Sequence, residues 1–240
     1  MDNPLYVTLA RLTSLQRQMD VVANNIANTS TAGFKREGTV FAEVVEPLAE
    51  EGGSLSMSSD AATYTDLGAG VMAETGDPLT VAVLGDGMLA VDRGGETLYT
   101  RDGRFALSPD GELVLLATGE PVLDAGGAPI QVPPDAAQIA IAKDGTVSAD
   151  GLLLGRIGLY AVATDGLERV GSGLFRAAEA PLPAEQPRFA QGFIEQSNVN
   201  PVIELVRMIE IQRAYERGHA LLQAEDDRIN QVTDVVGNTN

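Results

Sequence analysis

Two apolar stripes of heptad spacing stand at opposite ends of this chain, and they constrain its fold more than any other feature. Leu5, Leu12, Met19 and Ile26 are seven residues apart, with Leu9, Leu15 and Val22 in the complementary positions. Met208, Tyr215, Leu222, Ile229 and Val236 repeat the spacing near the other end, with Ile211 and Val232 beside them. A seven-residue apolar period lines one side of a helix, and such a stripe needs a partner. Asn3 and Asn200 each precede a proline, the cap-plus-proline start of a helix, and Gly33 suits the close of the first. The spacing predicts helices from about Pro4 to about Thr29 and from about 201 to 236. The second would be roughly 54 Å long at about 1.5 Å per residue, more than a compact domain needs to cover its own core. Gly218 and Glu225 fall at seam positions and read as flaws, the glycine costing roughly 1 kcal/mol against alanine. One such stripe is satisfied by packing on its own domain. Two at opposite ends supply each other with a partner and leave further faces free for neighbouring subunits.

Glycine divides the chain in the same way. Of 26 glycines, only Gly33 lies in 1–37 and only Gly192, Gly218 and Gly237 lie in 191–240. Between about 77 and 190, short apolar runs alternate with Gly-Asp-Gly at 85–87, Gly-Gly at 94–95 and 126–127, and Asp-Gly at 102–103, 110–111, 144–145, 150–151 and 165–166. Asp-Gly between alternating apolar residues signals a hairpin, because glycine accepts the positive φ of a tight turn. Leu79, Val81 and Val83 read as one strand, and Phe105 and Leu107 pair across the 110–111 turn with Leu113–Leu115. Residues 38–76 hold seven acids and no base, with the stretch Gly-Gly-Ser-Leu-Ser-Met-Ser-Ser-Asp, and read as an extended connector partly ordered on assembly. The expected class is α+β: terminal helices (1–37 and 191–240) forming a coiled-coil inner domain, the connector (38–76), and a central, mainly β domain (77–190).

Charge and residue types narrow the chemistry. With 16 basic and 34 acidic residues the net charge is −18, which repels nucleic acid and anionic lipid at long range, and no basic cluster offsets it. There is no cysteine, hence no disulfide, thiolate nucleophile or cysteine metal site. The first residues lack a basic n-region with a continuous apolar run, and no run of about 18 apolar residues occurs, so neither a cleaved secretory signal nor membrane insertion is expected. The one histidine, His219, has no second histidine at metal-ligand spacing. No phosphate loop, nucleophile elbow or EF-hand pattern is present. No catalytic, cofactor or metal residue and no small-molecule substrate is therefore expected. A secreted β-domain enzyme acting on glycans, flanked by oligomerising helices, is the alternative from another class. It would show a concave site with perturbed carboxylates, though aromatics are only 5% and tryptophan is absent.

The run Ala23-Asn24-Asn25-Ile26-Ala27-Asn28, followed by Thr31-Ala32-Gly33-Phe34-Lys35, resembles the N-terminal signature of bacterial flagellar rod and hook proteins. Thr100-Arg101-Asp102-Gly103-Arg104-Phe105, with Gly85-Asp86-Gly87 and Tyr99 before it, is similar to the central block of that family. Ser197-Asn198-Val199-Asn200-Pro201, then Glu204–Ile209 and Gln212–Glu216, resembles its C-terminal block. Met88-Leu89-Ala90 departs from the family, which often has aromatics there. The three blocks come in the expected order and span nearly the whole chain. The opening residues, Tyr6 and Arg17–Asp20 resemble the proximal rod members, whereas Gln212–Glu216 is at least as typical of the distal ones.

The resemblance implies a non-catalytic subunit of a hollow periplasmic axle that transmits torque and assembles with other rod subunits. In that family the terminal helices join as a coiled-coil inner domain, with the β-domain outside them. Leu5, Leu12, Met19, Ile26, Met208, Tyr215, Leu222 and Ile229 would then supply the assembly seam, and the terminal helices would order on polymerisation. Asn24, Asn25, Asn28, Gly33, Phe34, Ser197 and Asn198 carry the family signature. Phe41 and Val45 resemble the Phe-x-x-x-apolar motif that rod and hook substrates present to the flagellar type III export gate, which would take the protein out without a cleaved signal.

Overall fold

The two proline-headed stripes form the two helices among the described residues: α1 spans Asn3–Ala27 and α2 spans Pro201–Gly237. The Asn200 side-chain oxygen accepts from the backbone N–H of Val202 at 3.0 Å and of Ile203 at 3.3 Å, which caps α2 as its sequence requires. The computed structural model describes the backbone of residues 3–47, 54–164 and 166–237, with side chains for 7–40, 62–164, 166–228 and 230.

The described residues form two units. The first unites α1, α2 and a two-stranded sheet of β1 (Glu37–Pro47) and β2 (Ser54–Thr65). The helices pack on each other. They run antiparallel, because Asn25 meets Glu204 while Leu12 meets Gly218. Leu12, Leu15 and Val22 are buried on one face of α1, and Met19 and Ile26 beside them are half-buried. On α2 the half-buried Met208, Ile211, Tyr215 and Leu222 share a face with the buried Glu204. A Cβ on Gly218 would lie only 2.8 Å from Leu12 Cδ2, so the glycine admits the leucine. What the heptad pattern marks as a flaw is the place that makes room for Leu12.

The second unit comprises Asn28–Arg36 and Thr65–Val199. In chain order its strands are β3 (Met72–Glu74), β4 (Val81–Val83), β5 (Met88–Arg93), β6 (Glu96–Thr100), β7 (Phe105–Leu107), β8 (Leu113–Leu115), β9 (Ile139–Ile141) and β10 (Thr146–Ala149). They continue with β11 (Leu152–Arg156), β12 (Leu159–Ala161), β13 (Leu167–Gly171), β14 (Leu174–Ala177), β15 (Leu182–Pro183), β16 (Phe189–Gln191) and β17 (Phe193–Glu195). The main sheet has the order β13-β14-β6-β5-β12-β15, and a three-stranded sheet has the order β11-β10-β9. β4 pairs with β16, β3 with β17 and β7 with β8.

Turn chemistry explains much of this. Ala149 pairs with Leu152 across Asp150 and Gly151, whose φ values of 49° and 83° are those of a two-residue type I′ turn. The Phe105–Leu107 pairing with Leu113–Leu115 is the one the 110–111 turn predicts. Asp102-Gly103 is different: both residues are buried, and a Cβ on Gly103 would fall 1.7 Å from the Val81 carbonyl oxygen. That Asp-Gly pair marks a close backbone approach and not a hairpin. β5 buries both faces, with Leu89 and Val91 in a core that includes Leu98, Leu113, Val122 and Phe189, and Met88 and Ala90 in a second core with Tyr99, Leu123 and Phe175. Met88 is thus buried where the family resemblance suggests an aromatic.

The units divide the chain elsewhere than composition suggests. Residues 28–36, read with the first helix, pack in the β-rich unit, as do 65–76, while 37–64 contribute β1 and β2 to the helical one. Acid- and serine-rich composition does not distinguish these strands from a connector.

Candidate functional site

The motif-bearing segments around 33–36, 101–104 and 195–198 lie far apart in sequence and meet within the β-rich unit. Gly33 opens this junction. Its φ of +64° suits glycine, and a Cβ there would stand 2.4 Å from the Arg101 carbonyl carbon. Its N–H donates to the Glu195 carbonyl at 2.8 Å, seating the first segment on the third.

Lys35, Arg101 and Glu195 follow from that seating. The Glu195 carboxylate accepts from Lys35 Nζ at 2.6 Å, from the Gly70 N–H at 2.8 Å and from Arg101 Nε at 2.6 Å. The side chains are 2%, 4% and 1% exposed for Lys35, Arg101 and Glu195, so two cations and one anion are buried together. Carbonyl oxygens complete the balance: Gly68 accepts from Lys35 at 2.8 Å, Val83 from Arg101 at 3.1 Å, and Gly85 and Gly87 also accept from Arg101. Burial opposes ionisation of Glu195, but the hydrogen bonds from Lys35 and Arg101 outweigh it and hold the carboxyl below its ordinary range. Burial also pushes the Lys35 ammonium down, in spite of Glu195 beside it.

Two further clasps surround this core. Asn198 accepts from the Arg36 N–H at 2.7 Å and donates to the carbonyls of Asp66 at 2.9 Å and Gly68 at 3.0 Å. The Ser197 hydroxyl accepts from the Val199 N–H at 3.2 Å. The Arg169 guanidinium lies 4.5 Å from the centre of the Phe34 ring and 4.7 Å from that of Phe175, and donates to the Lys35 carbonyl at 2.6 Å. Asp102 holds Arg104 through two side-chain hydrogen bonds of 2.7 and 2.9 Å.

A cavity of about 190 Å³ adjoins the junction, lined by Lys35, Leu67, Asp86, Met88, Arg101 and Val162. Of its charged lining residues, Lys35 and Arg101 are engaged with Glu195 and with carbonyls. Such an arrangement locks three chain segments together; it does not poise an acid, a base or a nucleophile. Among the described residues no cluster of three or more His, Asp or Glu is placed to hold a metal ion, and no helix is long and apolar enough to cross a membrane.

The signature residues therefore fall into two groups. Gly33, Phe34, Ser197 and Asn198 belong to this junction, and Asn28 accepts from the Thr31 hydroxyl at 3.0 Å in the turn leading to it. Asn25 belongs to the helical unit, where its side chain donates to the Glu37 carbonyl at 2.8 Å and accepts from the Glu37 N–H at 2.9 Å. Asn24 is exposed on α1. Of the seam residues, Leu12 is buried and Met19, Ile26, Met208, Tyr215 and Leu222 are half-buried, whereas the side chains of Leu5 and Ile229 lie outside the described residues. Phe41 and Val45 are on β1, and their side chains also lie outside the described residues. Sequence reasoning missed Glu195, Arg169 and Glu204 as partners; the first stands two residues before Ser197, the only signal that pointed to it.

Comparison with known proteins bears on the same blocks. Residues 5–35 match the family described as flagella basal body rod protein, residues 82–149 the flagellar hook protein FlgE/F/G D1 domain, and residues 190–235 the flagellar basal body rod FlgEFG protein C-terminal. The chain is 40% identical over 224 residues to the flagellar basal-body rod protein FlgF of Caulobacter vibrioides, covering 90% of each chain. It is 37% identical over 227 residues to FlgF of Mesorhizobium japonicum, covering 93% of each. Its identity to the rod protein FlgG of Bacillus subtilis is 30% over 259 residues, covering 96% of this chain and 98% of that one.

Proposed function

The chain belongs to the flagellar basal-body rod proteins and is a structural subunit of that rod, not an enzyme, and from this premise we propose that it takes the FlgF-type place in the proximal rod. The observation that carries this choice is the set of alignments. Those to FlgF proteins run at 34–40% identity over 224–242 positions, while that to a FlgG runs at 30% over 259.

In this reading the terminal helices form the coiled-coil inner domain and join neighbouring rod subunits. An open stripe supports it: Val202, Leu205, Val206 and Ile209 are 44–69% exposed along one face of α2, turned away from the face that carries Glu204, Met208 and Ile211. Each such side chain contributes roughly 1.5–3 kcal/mol when fully buried, so a neighbouring subunit that covers the stripe gains from every one. Heterologous contacts that do not close into a ring extend into a filament. The subunit reaches the periplasmic rod through the flagellar type III export gate, with Phe41 and Val45 as the segment the gate reads.

Complementation tests the placement. In a host with separate flgF and flgG deletions, this chain is expected to restore motility to the first and not to the second. Rescue of the flgG deletion alone would move the assignment to the distal rod.

A further inference from the structure

The helical seam is built on a repeat, and a repeat tolerates slipping. Because both stripes recur every seven residues, sliding α1 along α2 by one heptad returns most seam residues to apolar positions of the same stripe, with Glu204, Gly218 and Glu225 as the interruptions. Something aperiodic must select the observed pairing.

The described residues contain such an element near one end of the seam. Asn25 and Glu204 are each 1% exposed, and Asn25 Nδ2 donates to Glu204 Oε2 at 3.4 Å. The other Glu204 oxygen accepts from Arg207 Nη1 at 2.6 Å. Asn25 is itself fixed by its two hydrogen bonds to the Glu37 backbone, so it cannot follow a sliding partner. A slip one way would set Leu12 against Glu225 and carry Glu204 past the end of α1. A slip the other way would set Leu12 against Ile211 and Glu204 against Met19. In the first case Asn25 loses its carboxylate partner, and in the second Glu204 is set against methionine without its amide, a cost that apolar contacts elsewhere do not recover.

We propose that Asn25 and Glu204 set the register of α1 against α2, a single polar key in a seam whose apolar repeat would otherwise accept several pairings. This inference is independent of the place the subunit takes in the rod.

The chain has no cysteine, so introduced disulfides report register directly. Leu12→Cys with Gly218→Cys reports the observed pairing, and Leu12→Cys with Glu225→Cys or with Ile211→Cys reports the two slipped ones. In purified full-length protein under mild oxidation, the 12–218 pair is expected to cross-link and the slipped pairs to stay near background. Adding Asn25→Leu and Glu204→Leu is expected to raise the slipped cross-links several-fold while the helical circular-dichroism signal is kept. Glu204→Gln retains an acceptor for Asn25 and is expected to hold the parent pattern. An unchanged 12–218 preference in the double leucine variant overturns the proposal, as does the absence of that preference in the parent. If the double leucine variant loses its helices, Glu204→Gln and Glu204→Ala decide: slipping in the alanine variant alone supports the key, and equal behaviour overturns it. Motility is not read in this experiment, so its outcome stands apart from that of the rod placement.

Discussion

Glu195→Gln is the substitution to which the buried junction should be most sensitive. The amide keeps an oxygen for one donor but turns its N–H groups toward the other, and it leaves Lys35 and Arg101 buried without an anion. Removing one partner of a buried pair costs about 3–5 kcal/mol, and that loss is expected in urea denaturation of the purified protein. The pH dependence has a definite sign. Because the fold holds the Glu195 carboxyl below its ordinary value of 4.5, the junction's contribution is complete above that value and is lost as pH falls through the lower folded one. The difference in stability between parent and Glu195→Gln should therefore shrink in acid, and a constant difference would speak against an ionised Glu195. Lys35 and Arg101 were visible as members of motif blocks, but nothing in those blocks says that they share one carboxylate. The partners are separated by 160 and 94 residues, and no local pattern encodes an encounter over that distance.

At the scale of elements, the helices and the turns of the β-rich unit were legible, because both are written in short-range periodicity and in glycine. The start of α2 fell at Pro201 as its cap requires, and α1 ended near the expected place. The strands β1 and β2 were not legible, since their residues are acidic and rich in serine, a composition that also describes a connector. The exposed stripe of α2 gives one prediction at this scale. Val206→Asp introduces a charge on a half-exposed face without touching the Glu204 side of the helix, so the stability of the isolated subunit should change by no more than about 0.5 kcal/mol. Its recovery in purified basal bodies should fall sharply, because a desolvated carboxylate opposes a neighbour that covers the stripe. Equal recovery would remove the stripe from the assembly surface. The proposed export motif gives another: Phe41→Ala is expected to lower secretion of the protein while its thermal unfolding stays as in the parent, and normal secretion would remove Phe41 from the account.

For the whole molecule, the division into a helical unit and a β-rich unit leads to a prediction that neither makes alone. Deleting 201–240 takes from α1 its antiparallel partner and from the chain its exposed stripe, so the shortened protein should be exported but absent from basal bodies and should fail to restore motility. Co-purification of the shortened form with basal bodies would show that the terminal helices are dispensable for assembly. The sequence by itself determined the class of the protein: helical ends, a turn-rich β middle, an acidic composition without cysteine, and three motif blocks in family order. Each of these is a property of neighbouring residues, or of residues a turn or a hairpin apart. Only the tertiary structure decided where the units divide, that Gly218 is a seat for Leu12, that Asp102-Gly103 is buried, and that Lys35, Arg101 and Glu195 form one cluster. Those depend on where the chain returns to itself, and the return is fixed by the packing of whole elements, to which every residue contributes and which no single segment records.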